Sequence, residues 1–425
     1  VIVTVCTIEE TEMKIRTALA ALATAPLITG HAGAADVISA EPEPMEYVST
    51  CPAYGEGYIN IPGTKTCMNL SGYVRSDLKG GDNVYAYKGI KKRDTYAWLA
   101  RAELVFQTAS DTELGTLGTY IEWRSQWDDG DNTLDSQLRA GYIQFAGLRV
   151  GMSESIFWYW TGYLGKVLND DIVDPGMNQR TNVISYTYAM DNGFSAVIGV
   201  EQGTDSGSDN RGRNYYLPGS GGRIGPDAGA DISDDPAARH FHSGSLIDDY
   251  TPNVLVGARY AQGWGSIAAT GVYDARHEEW ATKLRVNVNI YDGLTLWLMG
   301  GYKSDDDYYA YDDIYTARHI NKGRNYYYRM HTSQYGDWGG KWAVWGGGSY
   351  QFIEAASFNT QLTYDDTSIF TASANVAYTL TPGLTFTPEL SYRRYGDKKK
   401  WDDNSRVSFD GENAFQGMVR LQRSF

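Results

Sequence analysis

Ala414-Phe415-Gln416-Gly417-Met418-Val419-Arg420-Leu421-Gln422-Arg423-Ser424-Phe425 closes the chain, and its residues alternate. Phe415, Gly417, Val419, Leu421 and Phe425 share one face; Gln416, Arg420, Gln422 and Ser424 share the other. A period of two is a β-strand with one apolar and one polar side. A strand that runs to the last residue needs a partner, because termini fray unless tied down. In lipid an open sheet edge cannot be satisfied, so a membrane-spanning sheet must pair its last strand with its first. The segment therefore predicts a closed barrel with an even number of similar strands.

Working back along the chain, sixteen such segments are found. They lie near 69–78, 95–107, 116–127, 135–146, 147–154, 181–189, 193–202, 252–261, 264–274, 279–290, 293–302, 340–351, 354–365, 368–380, 383–396 and 413–425. Most have the length that a tilted strand needs to cross a bilayer. From the fourth strand on, the connections alternate. Short ones such as Met190-Asp191-Asn192 and Tyr291-Asp292 carry turn chemistry, and long ones at 155–180, 203–251, 303–339 and 397–412 are rich in Asp, Gly, Ser and Tyr. Long loops confined to one end are the asymmetry of outer-membrane barrels. The expected fold is an all-β, sixteen-stranded antiparallel transmembrane barrel over residues 69–425.

Composition agrees. The mean hydropathy of −0.42 would suit a soluble chain, but in a barrel only alternate residues meet lipid. Tyr (33) and Trp (12) together outnumber Phe (12), as expected where aromatics with a polar handle collect at membrane–water boundaries. Met13-Lys14-Ile15-Arg16, the apolar run Thr17–Ile28 and Ala32-Gly33-Ala34 read as a secretory signal peptide over 13–34, with residues 1–12 as an upstream extension and 35–68 as a periplasmic lead-in. The first 34 residues hold three Glu and two basic residues, so the rest of a chain of net charge −15 carries −14. That balance argues against nucleic acid as a partner. Cys51 and Cys67 remain after export, and an even pair in an oxidising compartment reads as a disulfide across a Pro/Gly-rich loop.

The alternation also sorts the wall by face. Leu70, Val74 and Leu78 oppose Tyr73, Arg75 and Asp77; Leu117, Ile121 and Trp123 oppose Tyr120, Glu122 and Arg124; Leu284 and Val286 oppose Lys283 and Arg285. A midplane Arg facing lipid costs about 2–4 kcal/mol, so the charged faces must line a water-filled interior. The connection 155–180 is the expected functional centre. Its start, Ile156-Phe157-Trp158-Tyr159-Trp160, is too apolar for a solvated loop, and its end carries Asp170, Asp171 and Asp174. Folded inward, it would present those acids opposite the wall bases Arg75, Arg101, Arg124, Arg139 and Arg149, creating a transverse field that sieves solutes. The alternative is an aromatic belt or an outer cap. The fourth strand has the least distinct faces, which leaves Arg139 the least defined of the five. Net charge and loop acids together motivate a weak cation preference.

Enzymatic signatures are missing: there is no G-x-S-x-G, H-E-x-x-H or P-loop, and no catalytic site, cofactor or metal is expected. His240-x-His242 lacks further ligands, and the acidic run Asp305–Asp307 reads as a solvated loop or a cation bridge to lipopolysaccharide.

Several stretches resemble the general porins of alphaproteobacteria, the rhizobial type. They include Cys51-Pro-Ala-Tyr-Gly-Glu-Gly-Tyr-Ile-Asn-Ile-Pro-Gly-Thr-Lys-Thr-Cys67, Gly72-Tyr-Val-Arg75, Trp160-Thr-Gly-Tyr-Leu-Gly-Lys-Val-Leu-Asn-Asp-Asp171 and Asn192-Gly-Phe-Ser-Ala-Val-Ile-Gly-Val-Glu-Gln-Gly203. The resemblance covers the whole chain after the leader. It implies a homotrimer in outer-membrane lipid, an inward third outer loop, passive diffusion of small hydrophilic solutes, and recognition of Phe425 by the barrel-assembly machinery. Arg423 departs from that pattern, standing where an apolar residue is usual. Two other functions fit the same fold: a channel specific for a sugar or anion, with the tyrosines near 308–328 as a slide, and a non-conducting barrel serving as an adhesin.

Overall fold

In a computed structural model, the described residues are 49–85, 95–128, 135–176, 180–204, 215–216, 223–224, 246–247, 249–304, 308–311, 327–330, 333, 335–395 and 413–425. The leader at 13–34, His240, His242 and Asp305–Asp307 lie outside them.

Sixteen strands form one closed antiparallel barrel: β1 Cys67–Gly81, β2 Ala97–Thr112, β3 Gly115–Asp128, β4 Asp135–Phe145, β5 Leu148–Glu154, β6 Arg180–Ala189, β7 Phe194–Glu201, β8 Asn253–Gln262, β9 Gly265–Asp274, β10 Glu279–Tyr291, β11 Leu294–Lys303, β12 Trp342–Ile353, β13 Ala356–Asp365, β14 Phe370–Thr381, β15 Leu384–Arg394 and β16 Asn413–Ser424. Each pairs with its neighbours in sequence, and β16 closes on β1 in the register Tyr73↔Ser424 to Gly81↔Gln416. Phe425 completes the seam: its N–H donates to Gly72 O at 3.0 Å and its carbonyl accepts from Gly72 N at 3.1 Å.

Burial follows the alternation. Leu70 and Val74 are 55% and 56% exposed, whereas Asp77 on the opposite face is 1% exposed. Tight turns join the strands at one end, as at Asn192-Gly193, with Gly193 at φ 86°. A residue with a Cβ pays a steric penalty there, and Ala261 O would also stand 2.1 Å from it.

β1 begins two residues earlier than its expected start. The Cys51–Cys67 disulfide, with Cα atoms 6.3 Å apart, and the two-residue strand Ile59–Asn60, paired on Cys67–Met68, extend it at that end. The blurred faces of β4 have a physical cause. The β3–β4 register shifts between Glu122 and Trp123, placing Arg139 in a bulge. The extra residue reverses the alternation, so that Leu138 and Ile143 are both exposed although an odd number of steps separates them.

Arg423 is exposed on the outer face at the tight-turn end, and its guanidinium donates to Pro382 O at 2.6 Å. A side chain at Gly383 would stand 1.8 Å from that guanidinium. The charged residue that breaks the apolar face of β16 is therefore a clamp on the β14–β15 turn.

Candidate functional site

After β5 the chain enters the connection to β6. Ser155 caps a short helix, α1 (Ile156–Tyr159), by accepting from Phe157 N at 3.1 Å. Ile156, Phe157, Trp160, Leu164 and Val173 belong to one buried cluster with inner-face residues of many strands, among them Val183, Val197, Leu255, Val272 and Trp345. Small residues make the fit possible. A Cβ at Gly199 would stand 2.4 Å from Ile156 Cδ1, and one at Gly257 2.4 Å from Trp160 Cδ1. A second segment packs on the first: Tyr335 meets Phe157 edge to face, with centroids 5.8 Å apart. The buried Glu201 carboxylate joins both segments to β7, accepting from Ile156 N (2.7 Å), Ser155 Oγ (2.9 Å) and the Tyr335 hydroxyl (2.9 Å).

Beyond α1 the segment is held through its backbone. Arg285 on β10 donates to Gly162 O at 3.4 Å and to Tyr163 O. Gly165 N donates to Gln361 Oε1 on β13 at 3.1 Å, and Asn375 Nδ2 on β14 donates to Lys166 O at 2.9 Å. Glu389 on β15 accepts from Leu168 N and, at 2.8 Å, from Asn169 N. Asn169 Nδ2 donates to Ser391 Oγ (3.0 Å) and to Gln416 Oε1 on β16 (3.2 Å). Gln361 Nε2 donates to Asp170 O at 2.5 Å.

The three predicted acids are not equivalent. Asp170 and Asp171 are half-buried, and Asp171 Oδ1 accepts from the Tyr85 hydroxyl at 2.8 Å. Asp174 is 4% exposed and its Oδ1 accepts from Gly176 N at 3.0 Å, tying the return of the segment.

The five predicted bases all lie on the inner face, where acids interleave with them. Arg124 donates to Glu103 (Nε–Oε2 2.6 Å) and stands 3.7 Å from Glu122. Arg139 lies 3.9 Å from the same Glu122, and Arg180 lies 3.6 Å from it. Arg75 is 3.5 Å from Asp77, but Asp77 is engaged by Nε and Nη2 of Arg420, at 2.6 and 2.8 Å. Arg101 donates to Gln126 Oε1 at 2.7 Å. Arg149 stacks over Tyr142 (4.5 Å) and Tyr159 (5.1 Å), which places it against α1. Sequence reasoning placed Arg420 on the polar face of β16 but did not single out Arg180, Glu201 or Glu389. Arg180 falls at the end of the expected connection 155–180, one residue before the expected strand 181–189, and the structure makes it the first residue of β6. Glu201 and Glu389 take their importance from donors on distant segments.

Among the described residues no group of His, Cys, Asp or Glu could hold a metal ion, and no helix is long and apolar enough to cross a membrane; the strands do the crossing. Comparison with known proteins agrees with the barrel. Residues 36–418 match the Porin subfamily. The chain is 42% identical over 424 residues to the porin Omp2b of Brucella suis, covering 97% of this chain and 100% of that one. It is 41% identical over 434 residues to the porin Omp2a of Brucella canis, with the same coverages. In fold it is similar to the outer membrane channel DcaP of Acinetobacter baumannii, with a TM-score of 0.57 at 14% identity over 86% of this chain and 99% of that one. The closed sixteen-stranded wall, its charged inner face and the match along nearly its whole length mean that this chain belongs to the porin family, as a channel protein of the Gram-negative outer membrane and not an enzyme.

Proposed function

We propose that the chain forms passive diffusion pores for small hydrophilic solutes and ions, and that segment 155–176 is the inward loop that narrows them. The observation that carries this reading is the series of hydrogen bonds from Gly162–Asp170 to inner-face side chains of β10 and β13–β16. Irregular backbone at membrane depth is tolerated where it lines a cavity and its polar groups find partners. Asp170 and Asp171 then belong to one side of the constriction, and Arg75, Arg101, Arg124, Arg139 and Arg149 to the other. Asp174 acts from within the segment, by fixing its return.

Three protomers make the working unit in this reading. Their outer aromatics meet lipid and lipopolysaccharide, the leader at 13–34 directs export, and Phe425 is read by the assembly machinery. Planar-bilayer recording of the purified protein tests the proposal. Stepwise openings in groups of three, with flux linear in solute concentration, are expected. A protein that inserts without conducting would instead be a structural barrel, and saturable flux of one solute would mark a specific channel.

A further inference from the structure

Segment 155–176 has a neck, where it leaves the wall after β5 and where it returns toward β6. Gly176 closes the neck: a Cβ there would stand 2.7 Å from Phe157 Cδ1 and 3.7 Å from Gly336 N. Gly336 belongs to a different connection, the one between β11 and β12. Residues 335–339 of that connection are all buried, with Tyr335 1% and Trp338 0% exposed. Connections ordinarily run over the surface, because a buried one must find partners for its backbone.

This run finds them at the strand ends away from the tight turns. Ser333 Oγ donates to Asp274 Oδ2, at the end of β9, at 2.6 Å. Lys303 Nζ, at the end of β11, donates to Trp338 O at 3.2 Å. The Trp338 ring meets Trp345 of β12 edge to face, with centroids 5.5 Å apart, and a Cβ at Gly301 would stand 2.8 Å from it. Gly339 N donates to Asp365 Oδ2, at the end of β13, at 3.2 Å, and Lys341 N donates to Asp366 Oδ2 at 3.1 Å. One residue of the run then reaches the neck itself. The Tyr335 ring packs on Phe157, and its hydroxyl shares the Glu201 carboxylate with Ser155 Oγ and Ile156 N. Donors that share one buried carboxylate are energetically coupled.

We propose that residues 335–341 are a strap that pins the neck of segment 155–176, so that two outer connections together set the width of the pore, and that Tyr335 is a positioning residue acting on the loop through Glu201. The inference rests on the channel reading above. Glu389 and its neighbours hold the middle of the segment, from Leu168 onward, whereas the strap holds the place from which the whole segment would swing. A barrel too wide to be filled by side chains gives such a segment room to move unless something fixes its base.

The test is single-channel recording of the full-length protein in planar bilayers, with each variant checked for the heat-modifiable mobility of a folded barrel. The native pore is expected to hold one main level. Tyr335→Phe keeps the ring on Phe157 and loses one hydrogen bond to a carboxylate, so the fraction of time spent at other levels should rise roughly tenfold. Trp338→Ala removes the ring that seats the strap on β11 and β12, and should raise that fraction further. Glu201→Gln supplies the readout that a merely structural role would not move. If Tyr335 acts through Glu201, the double variant Tyr335→Phe/Glu201→Gln should be less noisy than the two single effects multiplied together. Should Trp338→Ala fail to assemble, Tyr335→Phe and the double variant decide alone. Folded Tyr335→Phe protein with the native main level and native noise, or a double variant whose effects multiply in full, would overturn the inference while leaving the channel reading intact. A native protein that inserts without conducting would overturn both.

Discussion

Glu389 offers the most direct handle on the loop. It is 3% exposed on the inner face of β15 and accepts from four donors: Leu168 N, Asn169 N at 2.8 Å, Asn375 Nδ2 at 2.9 Å and Ser391 Oγ at 3.1 Å. Two of those donors are backbone N–H groups of the segment, which Glu389→Ala would leave without an acceptor. Each costs about 1–3 kcal/mol if it stays dry and less once water enters. Taking about 2–4 kcal/mol for the pair, at tenfold per 1.4 kcal/mol, the undocked population of 165–171 rises roughly 30- to 700-fold. Single-channel recording of Glu389→Ala should therefore show a larger main conductance or frequent extra levels. Glu389→Gln keeps one acceptor oxygen but points an NH2 group at one of the two N–H donors, so its noise should be intermediate. Native conductance and native noise in a folded Glu389→Ala protein would refute the view that these bonds hold the constriction.

Three further outcomes follow from packing and covalent structure. Gly257→Ala places a Cβ 2.4 Å from Trp160 Cδ1, and such overpacking costs about 1–3 kcal/mol. It should raise channel noise, and adding Trp160→Ala should relieve the crowding; a quiet single variant would argue against α1 seating on β8. Cys51→Ser opens the loop closed by the disulfide, which in the chain-entropy model lowers stability by roughly 3 kcal/mol, read as an earlier denaturant midpoint with conductance unchanged. Arg423→Ala loses the 2.6 Å bond to Pro382 O, and at this exposed rim a loss of about 1 kcal/mol is expected; an equal or greater stability would mean that the clamp contributes nothing.

The strands were legible because lipid enforces the period of two on every outer face and the tight turns punctuate it. Leu70, Val74 and Leu78 could be sorted from Arg75 and Asp77 without coordinates. Around Arg139 the pattern failed for a local reason: a bulge adds one residue and reverses the faces within a single strand. Most of the site was illegible for a different reason. Asn169 reaches Gln416 across 247 positions, and Trp345 Nε1 reaches Val173 O across 172. Such partners depend on the path of an irregular segment, which no periodicity encodes. Glu389 therefore looks, in sequence, like any other polar inner-face residue. The apolar start of the 155–180 connection did betray itself, because five consecutive bulky residues have no place in a solvated loop.

The inner wall changes chemistry with what touches it, and the polar side chains of β10 and β13–β15 are those that hold the backbone of the loop. Val183, Val197, Leu255 and Val272 on β6–β9 are buried in the cluster with α1, and Trp297, Met299 and Trp345 extend that cluster along β11 and β12. On β16 and β1–β4 the inner residues are instead ion-paired or amide-bonded groups such as Arg420, Asp77, Arg101, Glu103 and Arg124. A wall covered by protein can be apolar, whereas a wall left to water in a barrel too wide to be filled by side chains has to stay polar. If the covered wall sets the shape of the path and the uncovered wall sets its charge, the two should separate in one recording. Gly257→Ala should change conductance and noise while the reversal potential holds. Arg101→Gln should move the reversal potential and leave the noise native. A reversal potential that shifts equally in both variants would show that the two halves of the wall are coupled through the loop, and that charge and shape cannot be assigned to separate strands.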